Sequence, residues 1–189
     1  MKKIVIFASG NGTNAENLIL STAKKESEKV RWKVYSNNAS AGVIQKCKNL
    51  NIKCRVFNKS EFISSNIIYK EIKEINPDLI ILAGFLLKIS EDMIDIGIPI
   101  INIHPSLLPK YGGKGMYGIN VHKAVIENKE KESGITIHRV NKDYDKGEIL
   151  LQKKVSLEES ESIKSLILKI HKLEMKYFPK TVNNIVFND

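Results

Sequence analysis

The chain alternates short, near-continuous apolar runs with longer stretches whose apolar positions recur at helical spacing. The runs read as strands and the periodic stretches as amphipathic helices. Residues 3–8 make a strand leading into a helix over about 14–26, and residues 30–35 make a second strand, followed by a helix over about 41–50. A third strand covers 53–56, and Ser60 is placed to cap a helix running to about residue 75. Residues 78–82 and 98–103 are apolar almost throughout, as strands are when helices cover both faces of a parallel sheet. They bracket a short helix near 90–95.

Beyond a glycine-rich stretch at 112–118, a helix is expected over about 120–128, and then the texture changes. Residues 134–140 and 149–155 read as strands whose connection, 141–147, is too short for a helical crossover and calls for antiparallel pairing. A last helix starts near residue 160 and runs past Glu174 toward Pro179. With no repeat, low-complexity tract or linker in its 189 residues, the chain is expected to form a single domain over 1–189. The predicted class is α/β, a mixed, mainly parallel twisted sheet with helices on both faces. A C-terminal antiparallel hairpin and a long terminal helix complete it.

Lys and Arg (30) exceed Asp and Glu (21), for a net charge of +9. Such an excess admits nucleic acid, an anionic membrane or a small polyanion as partner. The basic residues are dispersed and interleaved with acids, as in 127–132, so no specific nucleic-acid binding is expected. Cys47 and Cys54 lack metal-type spacing and read as free thiols. The apolar start is too short for a signal peptide, and no run approaches the roughly 18 apolar residues of a membrane span. A cytoplasmic protein with no membrane attachment is the expectation.

Two places carry chemistry. The strand at 98–103 leads out through Asn102 and His104, two apart and therefore on one face, before Pro105-Ser106-Leu107-Leu108-Pro109 fixes a loop. An amide donor and an imidazole converging at a strand's carboxyl end suit oxyanion stabilisation and proton movement near neutral pH. A turn cap and a structural histidine are the plain alternative. The first strand ends in Ser9-Gly10-Asn11-Gly12-Thr13-Asn14-Ala15, where glycines let the backbone approach an anion at a helix N-terminus. This spacing also fits a dinucleotide fingerprint. The second strand, however, ends in Ser36-Asn37-Asn38, with no acid for a ribose hydroxyl and no arginine for a 2′-phosphate, which favours a monophosphate over NAD.

Four segments occur in order along nearly the whole chain: Ser9-Gly10-Asn11-Gly12-Thr13-Asn14, Ala83-Gly84-Phe85-Leu86, Asn102-Ile103-His104-Pro105-Ser106-Leu107-Leu108-Pro109 and Asp145-Lys146-Gly147. Through them the chain resembles the folate-dependent phosphoribosylglycinamide formyltransferases. The resemblance implies a Rossmann-like formyltransferase fold. It also implies transfer of a formyl group from 10-formyltetrahydrofolate, as co-substrate and without a metal, to the amine of glycinamide ribonucleotide in de novo purine (IMP) biosynthesis.

By the same resemblance Asn102, His104 and Asp145 are catalytic, Gly12, Thr13 and Asn14 hold the substrate phosphate, and Glu174 contacts the glycinamide substrate. His171, about one helical turn from Glu174, is placed to assist. Leu86, Leu87, Lys88 and Ile89 match the folate-pterin loop, and Asn102, Val140, Asn141 and Asp145 its other side. Relatives commonly carry Met-Arg at Leu86-Leu87 and a basic residue at Glu61, so Lys59 is the candidate to serve instead. On residue type alone Asp145 is a turn residue, Glu174 a solvated helix residue, and His122 and His138 surface or core histidines. In the implied mechanism Asp145 raises the pKa of His104, and the protonated ring joins the Asn102 amide at the oxyanion. The related methionyl-tRNA formyltransferases would suit the basic charge but carry a further C-terminal domain. Small-molecule substrates and a monomer or homodimer are therefore expected.

Overall fold

The computed structural model describes residues 1–26 and 29–187. Among them, one seven-stranded sheet comprises β1 (Lys2–Phe7), β2 (Val30–Ser36), β3 (Cys54–Val56), β4 (Leu79–Leu82), β5 (Ile100–His104), β6 (Glu132–Arg139) and β7 (Ile149–Ser156). The spatial order is β3-β2-β1-β4-β5-β6-β7. The first five strands pair parallel; β6 runs antiparallel to both β5 and β7. The helices are α1 (Thr13–Glu26), α2 (Gly42–Asn49), α3 (Lys59–Ile63), α4 (Ile67–Ile75), α5 (Glu91–Asp95), α6 (Ile119–Glu127) and α7 (Ile163–Phe187).

β1 shows how the apolar runs become two cores. Ile4 and Ile6 face one side and pack with Leu18, Val43, Val125 and Phe178, while Val5 and Phe7 face the other with Phe62, Ile68, Ile72 and Met93. Successive strand residues point to opposite faces, so a strand covered by helices on both sides is apolar at every position.

Two elements differ from the sequence reading. The helix expected from Ser60 to about residue 75 is two helices, and its cap is Asn58. The Asn58 side chain accepts the Glu61 N–H at 2.9 Å, and the Glu61 carboxylate accepts the Asn58 N–H at 2.9 Å. The break falls before α4, where Asn66 has a left-handed backbone at φ 53°. At the other end, α7 does not stop near Pro179 but carries it inside and continues to Phe187. Proline lacks the N–H that would bond the carbonyl of Met175. Asn17 of α1 supplies the missing donor, its Nδ2 lying 2.9 Å from that carbonyl oxygen.

Cys47 and Cys54 are free, the first buried in α2 and the second at the start of β3. No helix among the described residues is long and apolar enough to cross a membrane. Strand order reverses direction beside β1, with β2 on one side and β4 on the other. At such a point a crevice opens outside the carboxyl ends of the strands, where ligands of open α/β sheets bind.

Candidate active site

The loop after β1 is braced by its neighbours. Ser9 Oγ donates to Asn37 Oδ1 at 2.6 Å and accepts the Leu86 N–H at 3.0 Å, and Asn38 Nδ2 donates to the Ser9 carbonyl at 3.4 Å. The segment where a dinucleotide fold keeps its ribose acid is thus spent on tying loops together. Gly12 has φ +72°, and a Cβ there would stand 2.5 Å from the Val43 side chain. Its glycine is demanded by the backbone and by the close approach of α2. Asn14, in the first turn of α1, lines the crevice; Gly12 and Thr13 lie just before it and are not part of its wall.

The crevice holds a cavity of about 440 Å³. Asn102 and His104, on alternate positions of β5, both face it, and Asp145 reaches it from the β6–β7 connection. The loop after β5 is pinned to β6, since Thr136 Oγ1 donates to the Ser106 carbonyl at 2.7 Å and accepts the Leu108 N–H at 3.0 Å. This returns the chain so that the Tyr111 carbonyl meets His104 Nε2 at 2.7 Å. His104 Nδ1 stands 3.7 Å from Asp145 Oδ2, which also accepts the Gly113 N–H at 2.8 Å. The other carboxylate oxygen lies 3.5 Å from both Asn102 Nδ2 and His138 Nε2. Tyr111 and Asp145, which flank His104, each adopt φ 55°. Left-handed non-glycine residues are strained and gather at functional sites. A Cβ on Gly112 would come 3.2 Å from that of Asp145 and 2.5 Å from Leu108, so the glycine lets the loop close on the carboxylate.

Electrostatics revise one expectation. Burial holds the His104 pKa below its ordinary value, and His138 adds to that; the attraction of Asp145 and the Tyr111 carbonyl does not overcome it. The ring is therefore neutral near pH 7, rather than protonated by Asp145 as the sequence reading had it. Both its nitrogens nevertheless face oxygen acceptors, an arrangement that only the doubly protonated ring satisfies completely. Asp145 is pushed up by its own burial, but the His138 ring beside it, the Gly113 N–H and the His104 imidazole bring it below the usual carboxylate range. Glu174, whose carboxylate accepts from Asn14 Nδ2 at 3.1 Å, is raised by desolvation to about 7 against that bond.

Leu86, Leu87, Lys88, Ile89, Val140, Asn141, His171 and Glu174 all line the cavity. Lys59 does not: it opens α3 on the exposed surface, and Glu61 is occupied by the cap and by Arg55 at 2.6 Å. Two lining residues were read otherwise. His122 and His138 are buried on the cavity wall. Once β5 and β6 pair, Asn102 lies directly opposite His138, so strand register was the signal that locates it. The 112–118 loop, whose purpose the sequence left open, supplies the Gly113 N–H and much of the cavity wall.

A fold with this crevice and this polar cluster is that of a formyl group transferase: the formyl transferase family model matches residues 2–182, and the chain belongs to that family. Within the family, the relatives it resembles include phosphoribosylglycinamide formyltransferases. The Bacillus subtilis enzyme is 31% identical over 98% of this chain and 95% of its own. The chloroplastic Arabidopsis thaliana protein is 32% identical over 97% of this chain, which spans 65% of that protein's length. Among solved structures, the Coxiella burnetii phosphoribosylglycinamide formyltransferase superposes with a TM-score of 0.87 at 31% identity, covering 99% of this chain and 88% of that one. Glycinamide ribonucleotide transformylase 1 from Geobacillus kaustophilus gives 0.86 at 30% identity over 98% and 99%.

Proposed function

We propose that this chain transfers the formyl group of 10-formyltetrahydrofolate to the amine of 5-phosphoribosylglycinamide in de novo purine synthesis. The observation that carries the reading is the meeting of Asn102, His104 and Asp145 on one wall of the crevice. The rest of the cavity fits the two substrates. Leu86, Leu87, Ile89 and Val140 offer an apolar slot for a flat heteroaromatic ring. Asn14 Oδ1 and His122 Nδ1, buried without a hydrogen-bond partner in the protein, leave capacity for a polar ligand. Asn14 and Glu174 sit together where the phosphate loop meets α7, which suits the ribonucleotide side.

In the reaction the amine nitrogen bonds to the formyl carbon and the bond to the donor nitrogen breaks, with one amine proton leaving for that nitrogen. Asn102 donates an N–H to the oxygen as it becomes negative. Neutral His104 takes the amine proton at Nδ1, the nitrogen without a hydrogen, and later returns it. Asp145 and the Tyr111 carbonyl, already placed for an imidazolium, stabilise a charge that exists only as the barrier is crossed. Interactions made in the transition state and not before it accelerate the step.

His104→Ala is expected to lower kcat for this transfer by at least about 10², the scale of losing a positioned acid–base group, with KM for both substrates little changed. A steady-state assay measures it. An unaltered kcat would remove the cluster from the chemistry.

A further inference from the structure

His138 is the fourth polar group of the cluster, and its hydrogen bonds fix more than its own ring. Nδ1 lies 2.8 Å from the Arg139 carbonyl, which can only accept, so Nδ1 carries a proton. In the neutral ring Nε2 is then a bare lone pair, and it faces Asn102 Nδ2 at 3.2 Å. That contact is a hydrogen bond only when the Asn102 amide donates. The second amide hydrogen points toward Asp145 Oδ1 at 3.5 Å, the outer limit of hydrogen bonding, and is readily given up to a better acceptor. Turning the amide over would set Asn102 Oδ1 against both a lone pair and a carboxylate. Backbone pairing of β5 with β6 places the two side chains opposite one another, so the contact is built into the sheet.

We propose that His138 is a positioning residue for formyl transfer: it holds one hydrogen of the Asn102 amide and thereby presents the other to the developing oxyanion. The inference rests on the function proposed above and adds a residue that acts through Asn102 rather than on substrate.

Its test is a double-mutant cycle. His138→Phe removes the acceptor and is expected to lower kcat about tenfold to a hundredfold, up to the loss seen for a missing oxyanion donor, with both KM values within about threefold. His138→Gln, whose carbonyl oxygen accepts the same hydrogen, is expected to stay within about threefold of the wild-type kcat. In an Asn102→Ala background the His138→Phe change is expected to cost less than about twofold, because its route is already gone. An equal loss in both backgrounds overturns the proposal. A second reading needs no turnover and so stands apart from the proposed function. In wild-type protein carrying nitrogen-15 histidine, the neutral His138 ring is expected to show a protonated Nδ1 and an unprotonated Nε2. A protonated Nε2 in the neutral ring also overturns the proposal.

Discussion

His104 is held between two opposed influences, and the balance decides what it does. Desolvation keeps it neutral, while Asp145 and the Tyr111 carbonyl wait for its second proton. Asp145→Asn keeps the shape and removes the charge. The His104 pKa is then expected to fall further, moving the acid limb of the kcat–pH profile to lower pH, while the plateau drops because the imidazolium loses its partner. A pH series on the variant checks both, and an unshifted limb at undiminished kcat would sink this assignment.

Glu174 is the second residue with a pH signature. Its folded pKa of about 7 exceeds the 4.5 of an unperturbed side chain, so its contribution to stability is intact below about pH 4.5 and is lost as pH rises through about 7. Glu174→Gln is expected to raise unfolding free energy at pH 8 by up to about 3 kcal/mol and to change little at pH 4, as denaturant melts at the two pH values would show. Asn102 and His104 were legible from spacing alone, because alternation along a strand puts them on one face. Asp145 and Glu174 were not, since a carboxylate before Lys-Gly or in a helix looks solvated until tertiary packing buries it; only the resemblance marked them. His138 was invisible because its role comes from register between strands, which local pattern does not encode.

At the scale of elements, the periodicity of the apolar positions located every strand of the sheet and most helices to within a few residues. The failures share a cause. Ser60 and Asn58 are both good caps, and the choice between them is made by the reciprocal bond with Glu61. Pro179 ends a helix in isolation, but in α7 the carbonyl it strands is satisfied by Asn17 from α1. Asn17→Ala leaves the Met175 carbonyl unpaired in a part-buried contact and is expected to cost about 1–3 kcal/mol. Equilibrium unfolding measures that cost, and a neutral substitution would show that α7 tolerates the proline without α1. Gly12 makes the same point about function: its Cβ position is filled by Val43, so a bulky substituent there would disturb α2 as well as any ligand.

For the whole molecule, the reversal of strand order beside β1 gathers loops from β1, β4, β5 and β6 around one cavity. The antiparallel β6–β7 hairpin turns Asp145 back over β5, and α7 brings Glu174 against α1. The apolar lining, the polar cluster and the Asn14–Glu174 pair thereby share one cavity, an arrangement suited to holding two small molecules against each other. The most direct measurement is a transfer experiment with 10-formyltetrahydrofolate carrying carbon-13 in the formyl group and glycinamide ribonucleotide as acceptor, read by mass spectrometry of both products. The label is expected on the glycinamide nitrogen, at a rate that depends on both substrates and falls at least about 10² with His104→Ala. Label released as free formate without any formylated ribonucleotide, or transfer undiminished by the substitution, would contradict the account.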